Sequence, residues 1–224
     1  MTDSLRRCPD HGPVDGACPD CGAVGDVILT AEQRTRLSKF LSGALRHFPG
    51  DVGLSLDDAG WTPWDDLVAA TTDRYPWADE AAVEAVVATD PKGRFERDGA
   101  ASEPPRAVGD PDDDTRVRAA YGHSVDVTLD PTDAPVPDEL YHGTAPRNVD
   151  AIERDGLRPM GRQQVHLSAS VADAEAVGRR HSHPVDPVVF VVDSAALLDD
   201  YRITKRGHET YTVDRVPPAY LTRR

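Results

Sequence analysis

The stretch TAEQRTRLSKFLSGALRHFPG, from Thr30 to Gly50, predicts the first long helix of the chain. Thr30 with Gln33 three residues later is the capping-box pattern that begins a helix. Apolar residues then recur at three- and four-residue intervals, the period of a helix buried on one face, and the Pro-Gly pair ends it. A helical wheel places Arg46 opposite the packing face and His47 at its flank. The alternative is a solvated helix end, whose cations favour the C-terminal dipole.

Two more helices and a β-ribbon follow, and together they predict a winged-helix-like lobe over residues 30–130. The Pro/Asp-rich run of residues 100–114 is predicted to be a long loop or a hairpin tip within this ribbon. The predicted elements are a helix beginning at Thr62 and Pro63, a helix over residues 78–87, and strands over residues 94–97 and 115–127.

A second Pro/Asp-rich stretch, residues 130–138, is the predicted linker, and the domain boundary is placed there. Beyond it, short strands alternate with helices, which predicts an α+β lobe over residues 131–224. The predicted strands are residues 139–142, 164–168, 188–192 and 210–213, and the predicted helices are residues 147–154 and 171–181.

The N-terminal 29 residues contain a pattern typical of a metal-binding module. Cys8, His11, Cys18 and Cys21 form C-x2-H-x6-C-x2-C, two short ligand pairs that can each hold one tetrahedral ion. Four such ligands close the coordination shell, so the predicted zinc is structural. The alternative is a flexible tail without metal. We predict a zinc-knuckle-like extension over residues 1–29.

The composition argues against a polyanionic partner in dilute buffer but suits a salt-rich cytosol. The chain has 39 acidic and 25 basic side chains, a net charge of −14, and only three lysines. Such a surface repels phosphates. At 1 M ionic strength, however, the Debye length falls to about 3 Å, so a local basic pocket can still bind phosphate.

No stretch approaches the roughly 18 apolar residues that a membrane span needs. The first residues, MTDSLRRCPDHG, also lack the apolar core of a secretory signal. We therefore expect a cytoplasmic protein that has no membrane partner, and we expect a monomer.

Seven motifs in a fixed order resemble the RNA 2′-phosphotransferase family, over about residues 31–221. The N-terminal extension is similar to the archaeal branch of that family. The motifs are LSKFLSGALRH (37–47), GLSLDDAGW (53–61), DPKGRFE (90–96), YGHSV (121–125), LYHGT (140–144), GLRPMGRQQVHLS (156–168) and VGRRHSHPV (177–185).

This resemblance implies an enzyme with an RNA-binding winged-helix lobe and an ADP-ribosyltransferase-like lobe that binds NAD as a consumed co-substrate. The implied partner is RNA with an internal 2′-phosphate, such as spliced tRNA. In the first step the 2′-phosphate attacks C1″ of the nicotinamide ribose, nicotinamide leaves, and an RNA-2′-phospho-ADP-ribosyl intermediate forms. The ribose 2″-OH then attacks phosphorus, which releases RNA with a 2′-OH and ADP-ribose 1″,2″-cyclic phosphate.

The catalytic set that the resemblance implies is Arg46, His47, Arg94 and Arg180. Arginine suits phosphoryl transfer, because its forked guanidinium neutralises and positions phosphate oxygens. His47 could donate to the phosphate or assist proton movement. Arg179 is adjacent to Arg180 on the predicted helix, and for Arg179 a surface salt bridge is the expected role.

On the NAD side, the resemblance implies that His142, Gly143 and Thr144 meet the adenosine end, and that His166 and Ser168 meet the nicotinamide end. The glycine would let backbone approach the ligand. Residues two apart on a strand share a face, as His166 and Ser168 would. For either histidine, a buried structural residue is the alternative.

One position and two other functions stay open. The late strand of many ADP-ribosyltransferases carries a catalytic Glu, and here either Thr210 or Glu209 occupies that position. The first alternative function is an ADP-ribosyltransferase that caps phosphate ends of nucleic acid and stops after the first step. The second is a non-catalytic zinc-knuckle and winged-helix nucleic-acid-binding protein.

Overall fold

A computed structural model describes residues 4–98 and 115–224. It divides the chain into two units, residues 1–120 and 121–224. The division precedes the boundary predicted at residue 130, because the intervening residues bond within the second unit. The His123 carbonyl accepts the Gln163 N–H at 3.2 Å, and the Asp130 carbonyl accepts from Arg206 Nη1 at 2.6 Å.

Over residues 4–98 and 115–120, the first unit contains three helices and two small antiparallel sheets, ordered β2-β1-β3 and β4-β6-β5. The N-terminal extension is part of this unit: Leu5 and Leu29 are buried in the same core as the helices. The elements are β1 (Leu5–Cys8), β2 (Gly12–Asp15), β3 (Asp26–Leu29), α1 (Ala31–Ala44), β4 (Thr62–Pro63), α2 (Trp64–Arg74), α3 (Glu80–Ala88), β5 (Phe95–Asp98) and β6 (Arg116–Ala119), with a 3-10 turn at Gly50–Val52.

Helix α1 begins as predicted and ends earlier than predicted. The Gln33 N–H donates to Thr30 Oγ1 at 3.2 Å and the Thr30 N–H donates to Gln33 Oε1 at 3.0 Å, so the capping box is confirmed. The helix stops at Ala44 because the Gly43 carbonyl accepts the N–H groups of the three residues after Leu45, and the Phe48 ring folds back onto Gly43. A Cβ on Gly43 would lie 2.4 Å from that ring.

This ending corrects the position of Arg46. The helical wheel placed Arg46 on an accessible face, but the residue lies in the turn after α1 and is only 7% exposed. His47 in the same turn is exposed.

Strand β5 begins one residue after Arg94, so that arginine precedes the strand instead of opening it. Strand β6 ends at Ala119, well short of the predicted Val127, and residues 120–127 form no strand. The predicted loop or hairpin tip at residues 100–114 lies outside the described residues.

The second unit is a six-stranded antiparallel sheet, ordered β10-β11-β8-β7-β9-β12, with helices. The predicted strands and helices of this unit all form. Its elements are β7 (Glu139–Thr144), a 3-10 turn (Pro146–Asn148), α4 (Val149–Asp155), β8 (Val165–Ser168), α5 (Val171–Ser182), β9 (Val188–Asp193), α6 (Ser194–Leu197), β10 (Thr204–Arg206), β11 (Thr210–Val213), a 3-10 turn (Pro218–Tyr220) and β12 (Leu221–Arg223).

Helix α5 lies directly on strand β7, backbone against backbone. A Cβ on Gly143 would be 1.7 Å from the Ala174 carbonyl oxygen, and one on Gly178 would be 3.0 Å from the Thr144 nitrogen. The absence of a side chain at these two glycines therefore permits the close contact between α5 and the strand. Among residues 4–98 and 115–224, no helix is long and apolar enough to cross a membrane.

Candidate functional site

Two of the predicted catalytic arginines meet in the first unit. Arg46 Nη2 donates to the Arg94 carbonyl at 3.4 Å, although the residues are 48 positions apart. The same carbonyl accepts the Ala120 N–H at 2.8 Å. The Arg94 backbone is therefore tied both to the turn after α1 and to the end of β6.

The Arg94 guanidinium is held by two residues that sequence reasoning missed. Its Nε donates to Asp90 Oδ1 at 2.9 Å, its Nη2 also donates to that oxygen, and Nη2 donates to Ser38 Oγ at 2.8 Å. The Asp90 side chain is 2% exposed and that of Arg94 is 23% exposed. Asp90 and Ser38 both lie inside the family motifs. An acidic residue four positions before Arg94 was the sequence feature that could have predicted the pairing with Asp90.

Arg180 lies on α5 in the second unit, with its side chain exposed. Arg179 beside it is 3.9 Å from Glu175, an exposed ion pair one helical turn away. This contact agrees with the surface role expected for Arg179. No ion pair of Arg180 occurs within the described part of the chain.

Arg162 is a further cation near Arg180 that sequence reasoning did not select. The pKa of Arg162 is lowered, first by partial burial and also by the positive charge of Arg180, while Tyr121 acts in the opposite direction.

The three residues predicted at the adenosine end have structural contacts of their own. His142 Nδ1 lies 3.1 Å from the His166 carbonyl, and burial lowers the pKa of His142. Thr144 Oγ1 accepts from Asn148 Nδ2 at 3.0 Å. Gly143 faces Ala174 of α5, so its lack of a side chain already has a packing reason. The ligand contacts of these residues stay predictions.

His166 and Ser168 share one face of β8, as the alternation predicted, while Val165 and Leu167 are buried on the other. Thr210 is the register partner of Ser168 on β11, and its neighbour Tyr211 is buried. Glu209 precedes the strand and is exposed. The structure therefore places Thr210, and not Glu209, across from Ser168.

A small cavity lies beside His166 in the second unit. Its volume of about 20 Å³ suits a single water molecule and is far too small for a nucleotide. Thr212 Oγ1 is buried there without a hydrogen-bond partner among the described residues. The lining residues are Tyr121, Gly122, His123, Leu129, Gln163, Gln164, His166, Arg206 and Thr212.

The N-terminal cysteines and histidine converge as the spacing predicted. The ligand atoms of Cys8, His11, Cys18 and Cys21 all lie within 4.8 Å of one another. His11 Nδ1 is 3.4 Å from both Cys8 Sγ and Cys18 Sγ, and Cys8 Sγ is 3.5 Å from Cys21 Sγ. Around a tetrahedral zinc with bonds of about 2.0–2.3 Å, ligand atoms are roughly 3.4–3.8 Å apart, so the arrangement fits such an ion.

The backbone favours the thiolate form of one cysteine in this cluster. The pKa of Cys8 is lowered to about 6, first by a hydrogen bond from the Asp10 backbone and also by His11. A thiolate is the form that binds metal. The Gly22 N–H donates to the Cys18 carbonyl at 2.8 Å, and Gly22 adopts φ +73°, which closes the turn around the second ligand pair.

Comparisons with known proteins agree with the motifs. The sequence profile described as "RNA 2'-phosphotransferase, Tpt1 / KptA family" matches residues 32–213. A Haloarcula marismortui protein described as "Probable RNA 2'-phosphotransferase" is 59% identical over 99% of this chain and 98% of its own length. Archaeoglobus fulgidus "Probable RNA 2'-phosphotransferase 2" is 40% identical, covering 97% and 92%. An Agrobacterium fabrum relative, "Probable RNA 2'-phosphotransferase", is 42% identical, covering 84% and 93%.

Proposed function

The chain belongs to the RNA 2′-phosphotransferase family, Tpt1/KptA, and from that premise we propose that it transfers an internal RNA 2′-phosphate to NAD. The profile match over residues 32–213 is the observation that carries this proposal. The products would be RNA with a 2′-OH, nicotinamide and ADP-ribose 1″,2″-cyclic phosphate. Spliced tRNA is the proposed substrate class.

We assign the first unit to RNA binding, as a winged-helix-like lobe, and the second to NAD binding, as an ADP-ribosyltransferase-like lobe. On the β4-β6-β5 sheet, two arginines pair with acidic side chains. Arg116 lies 2.6 Å from Asp98, and Arg118 lies 2.6 Å from Glu96.

Arg46 and Arg94 are proposed to bind the RNA 2′-phosphate. Arg46 is almost fully buried and Arg94 is mostly buried, and their contact joins two segments that are distant in sequence. A cation held in place before the substrate arrives stabilises developing charge without reorganising. His47, exposed next to Arg46, is proposed to donate to the phosphate or to move a proton during the second step.

In the second unit, Arg180 is proposed to neutralise phosphate charge. His142, Gly143 and Thr144 are proposed to meet the adenosine end of NAD, and His166 and Ser168 the nicotinamide end. Burial keeps His142 neutral near pH 7, and because its Nδ1 donates to the His166 carbonyl, its Nε2 can only accept a hydrogen bond. Thr210, opposite Ser168, would leave this strand without the acidic residue of other ADP-ribosyltransferases.

Cys8, His11, Cys18 and Cys21 are proposed to hold one structural zinc. Three thiolates and one imidazole complete a tetrahedral shell, so the ion would have no open position for water. Its role would be to stabilise the β2-β1-β3 sheet, whose Leu5 and Leu29 enter the core of the first unit.

The test of the function is a product assay. Purified protein in molar KCl is incubated with a short RNA bearing one internal 2′-phosphate, with and without NAD. A matched RNA without the 2′-phosphate and one with a terminal phosphate serve as controls. We expect NAD-dependent loss of the 2′-phosphate together with ADP-ribose 1″,2″-cyclic phosphate. Accumulation of ADP-ribosylated RNA would instead favour the capping enzyme, and tight RNA binding without reaction would favour the non-catalytic module.

A further inference from the structure

The hydrogen bonds of the Arg94 side chain involve its Nε and Nη2 and leave Nη1 available. A guanidinium has five N–H donors. Asp90 Oδ1 accepts from Nε and from Nη2, and Ser38 Oγ accepts from Nη2 as well. Among the described residues, Nη1 has no hydrogen-bond partner. Its two N–H groups can therefore bind an anion without breaking any of these bonds.

Asp90 also shapes the backbone that carries Arg94. Its second oxygen, Oδ2, accepts the Arg94 N–H at 2.6 Å, and its carbonyl accepts the Gly93 N–H at 3.2 Å. Gly93 adopts φ +56°, a conformation that side chains disfavour. One buried carboxylate thus closes the turn between α3 and β5 and fixes the side chain at the end of that turn.

Ser38 adds a restraint from a different element. It lies on α1, and its hydroxyl meets an arginine 56 residues further along the chain. Helix α1 also precedes the turn that contains Arg46, whose guanidinium bonds to the Arg94 carbonyl. The position of Arg94 is therefore set by α1, by the turn after α1 and by the turn after α3.

We propose that Asp90, assisted by Ser38, is a positioning residue that holds Arg94 with its Nη1 edge directed to the RNA 2′-phosphate. The inference rests on the proposed function. An unrestrained arginine loses rotamer freedom when it binds a phosphate, whereas one fixed beforehand does not. Asp90 would contribute to turnover through Arg94 and would not contact the substrate.

The chain offers a matched control at the other end of α3. Asp79 caps that helix, with Oδ1 accepting the Ala82 N–H at 2.9 Å, and asparagine caps a helix equally well. Asp79→Asn and Asp90→Asn therefore make the same change of charge and shape on the two sides of one helix. Only Asp90→Asn removes the carboxylate that holds Arg94.

The experiment measures kcat and KM for a 2′-phosphorylated RNA, with thermal unfolding recorded for every variant. We expect Asp90→Asn to lower kcat by roughly 10- to 100-fold, with the KM for NAD unchanged. Ser38→Ala removes a single hydrogen bond and should lower kcat less. Asp79→Asn should leave kcat within about twofold of wild type.

A double variant separates positioning from a general structural role. If Asp90 acts through Arg94, adding Asp90→Asn to Arg94→Lys should change kcat by less than about twofold. If Asp90→Asn lowers kcat as much in the Arg94→Lys background as in the wild type, the proposal is overturned. It is also overturned if Arg94→Lys lowers kcat and Asp90→Asn alone leaves kcat at the wild-type value. If Asp90→Asn does not fold, wild-type kcat for Ser38→Ala would count against the proposal in the same way. A wild-type protein without activity would instead overturn the proposed function, and this inference with it.

Discussion

At the scale of single residues, the adjacent arginines of α5 offer a direct comparison. Arg180→Ala should lower kcat by about 100-fold or more if Arg180 stabilises charge in the transition state. Arg179→Ala should stay within about twofold, because its pair with Glu175 is exposed and exposed pairs contribute little. Steady-state rates with 2′-phosphorylated RNA measure both effects. Equal losses in the two variants, or a loss in Arg179→Ala alone, would contradict the assignment.

The partly buried His142 should make stability depend on pH. Burial lowers its pKa below the ordinary value of 6.5, so below that pH the unfolded chain binds a proton that the folded chain resists. The free energy of unfolding should be unaffected by this group above about pH 6.5 and should fall as the pH drops from there towards the folded pKa. Urea unfolding at pH 7.5 and pH 5.5 measures the loss, and His142→Gln should show a smaller one. The same loss in the variant would assign it to other groups.

At the scale of elements, the contact between α5 and β7 depends on the absence of a side chain. Gly143→Ala would place a Cβ 1.7 Å from the Ala174 carbonyl oxygen, and backbone must move to relieve the clash. We expect a loss of about 3 kcal/mol in the free energy of unfolding, the upper part of the range for overpacking. Gly161→Ala is the control, since nothing lies within 4 Å of its Cβ and we expect a change within about 0.5 kcal/mol. Similar unfolding curves for the two variants would contradict the packing role of Gly143.

Elements whose ends are specified by neighbouring residues could be predicted from the sequence. The end of α1 shows why other features could not. The capping box and the alternating strands of the second unit depend on neighbouring residues, and these predictions are confirmed. The end of α1 depends on the Phe48 ring packing on Gly43, so the apolar period continued past the true end of the helix. The prediction therefore placed Arg46 on an exposed helical face, whereas the residue lies in a buried turn.

Contacts between distant segments explain which site residues were missed. The four proposed metal ligands lie within 14 residues of one another, and their spacing alone predicted the cluster. The partners of Arg94 include Ser38, which is 56 residues away, and no local pattern connects them. Arg162 was missed for a related reason, since its link to Arg180 is a through-space interaction between two segments of the second unit.

At the scale of the whole molecule, removal of the proposed zinc should destabilise the first unit. The four ligands connect β1, the turn before β2 and the loop before β3, and β1 and β3 contribute Leu5 and Leu29 to the helical core. We expect one zinc per chain by elemental analysis and a lower Tm after chelation, restored by added zinc. His11→Ala should lose the metal, whereas His181→Ala, an exposed histidine in the second unit, should retain it. A metal-free protein with an unchanged Tm would contradict a structural role.

The net charge of −14 predicts a stability that increases with salt. In dilute buffer the acidic side chains repel one another over a Debye length of about 10 Å, and at 1 M ionic strength that length is about 3 Å. Salt also weakens ion pairs, but exposed pairs in contact, such as Arg116 with Asp98 at 2.6 Å, contribute at most about 1 kcal/mol each. Rising salt screens the long-range repulsion before it weakens the ion pairs in contact. The net effect of added salt on the free energy of unfolding should therefore be stabilising.

Thermal unfolding between 0.1 and 2 M KCl tests whether salt stabilises the protein. Each 1 kcal/mol gained should raise the Tm by about 2 to 4 °C for a chain of this size. NaCl at the same concentrations separates general screening, which both salts supply, from an effect of potassium itself. A Tm that falls steadily as KCl rises would show that ion pairs, and not the repulsion among acidic side chains, dominate the electrostatic free energy of this protein.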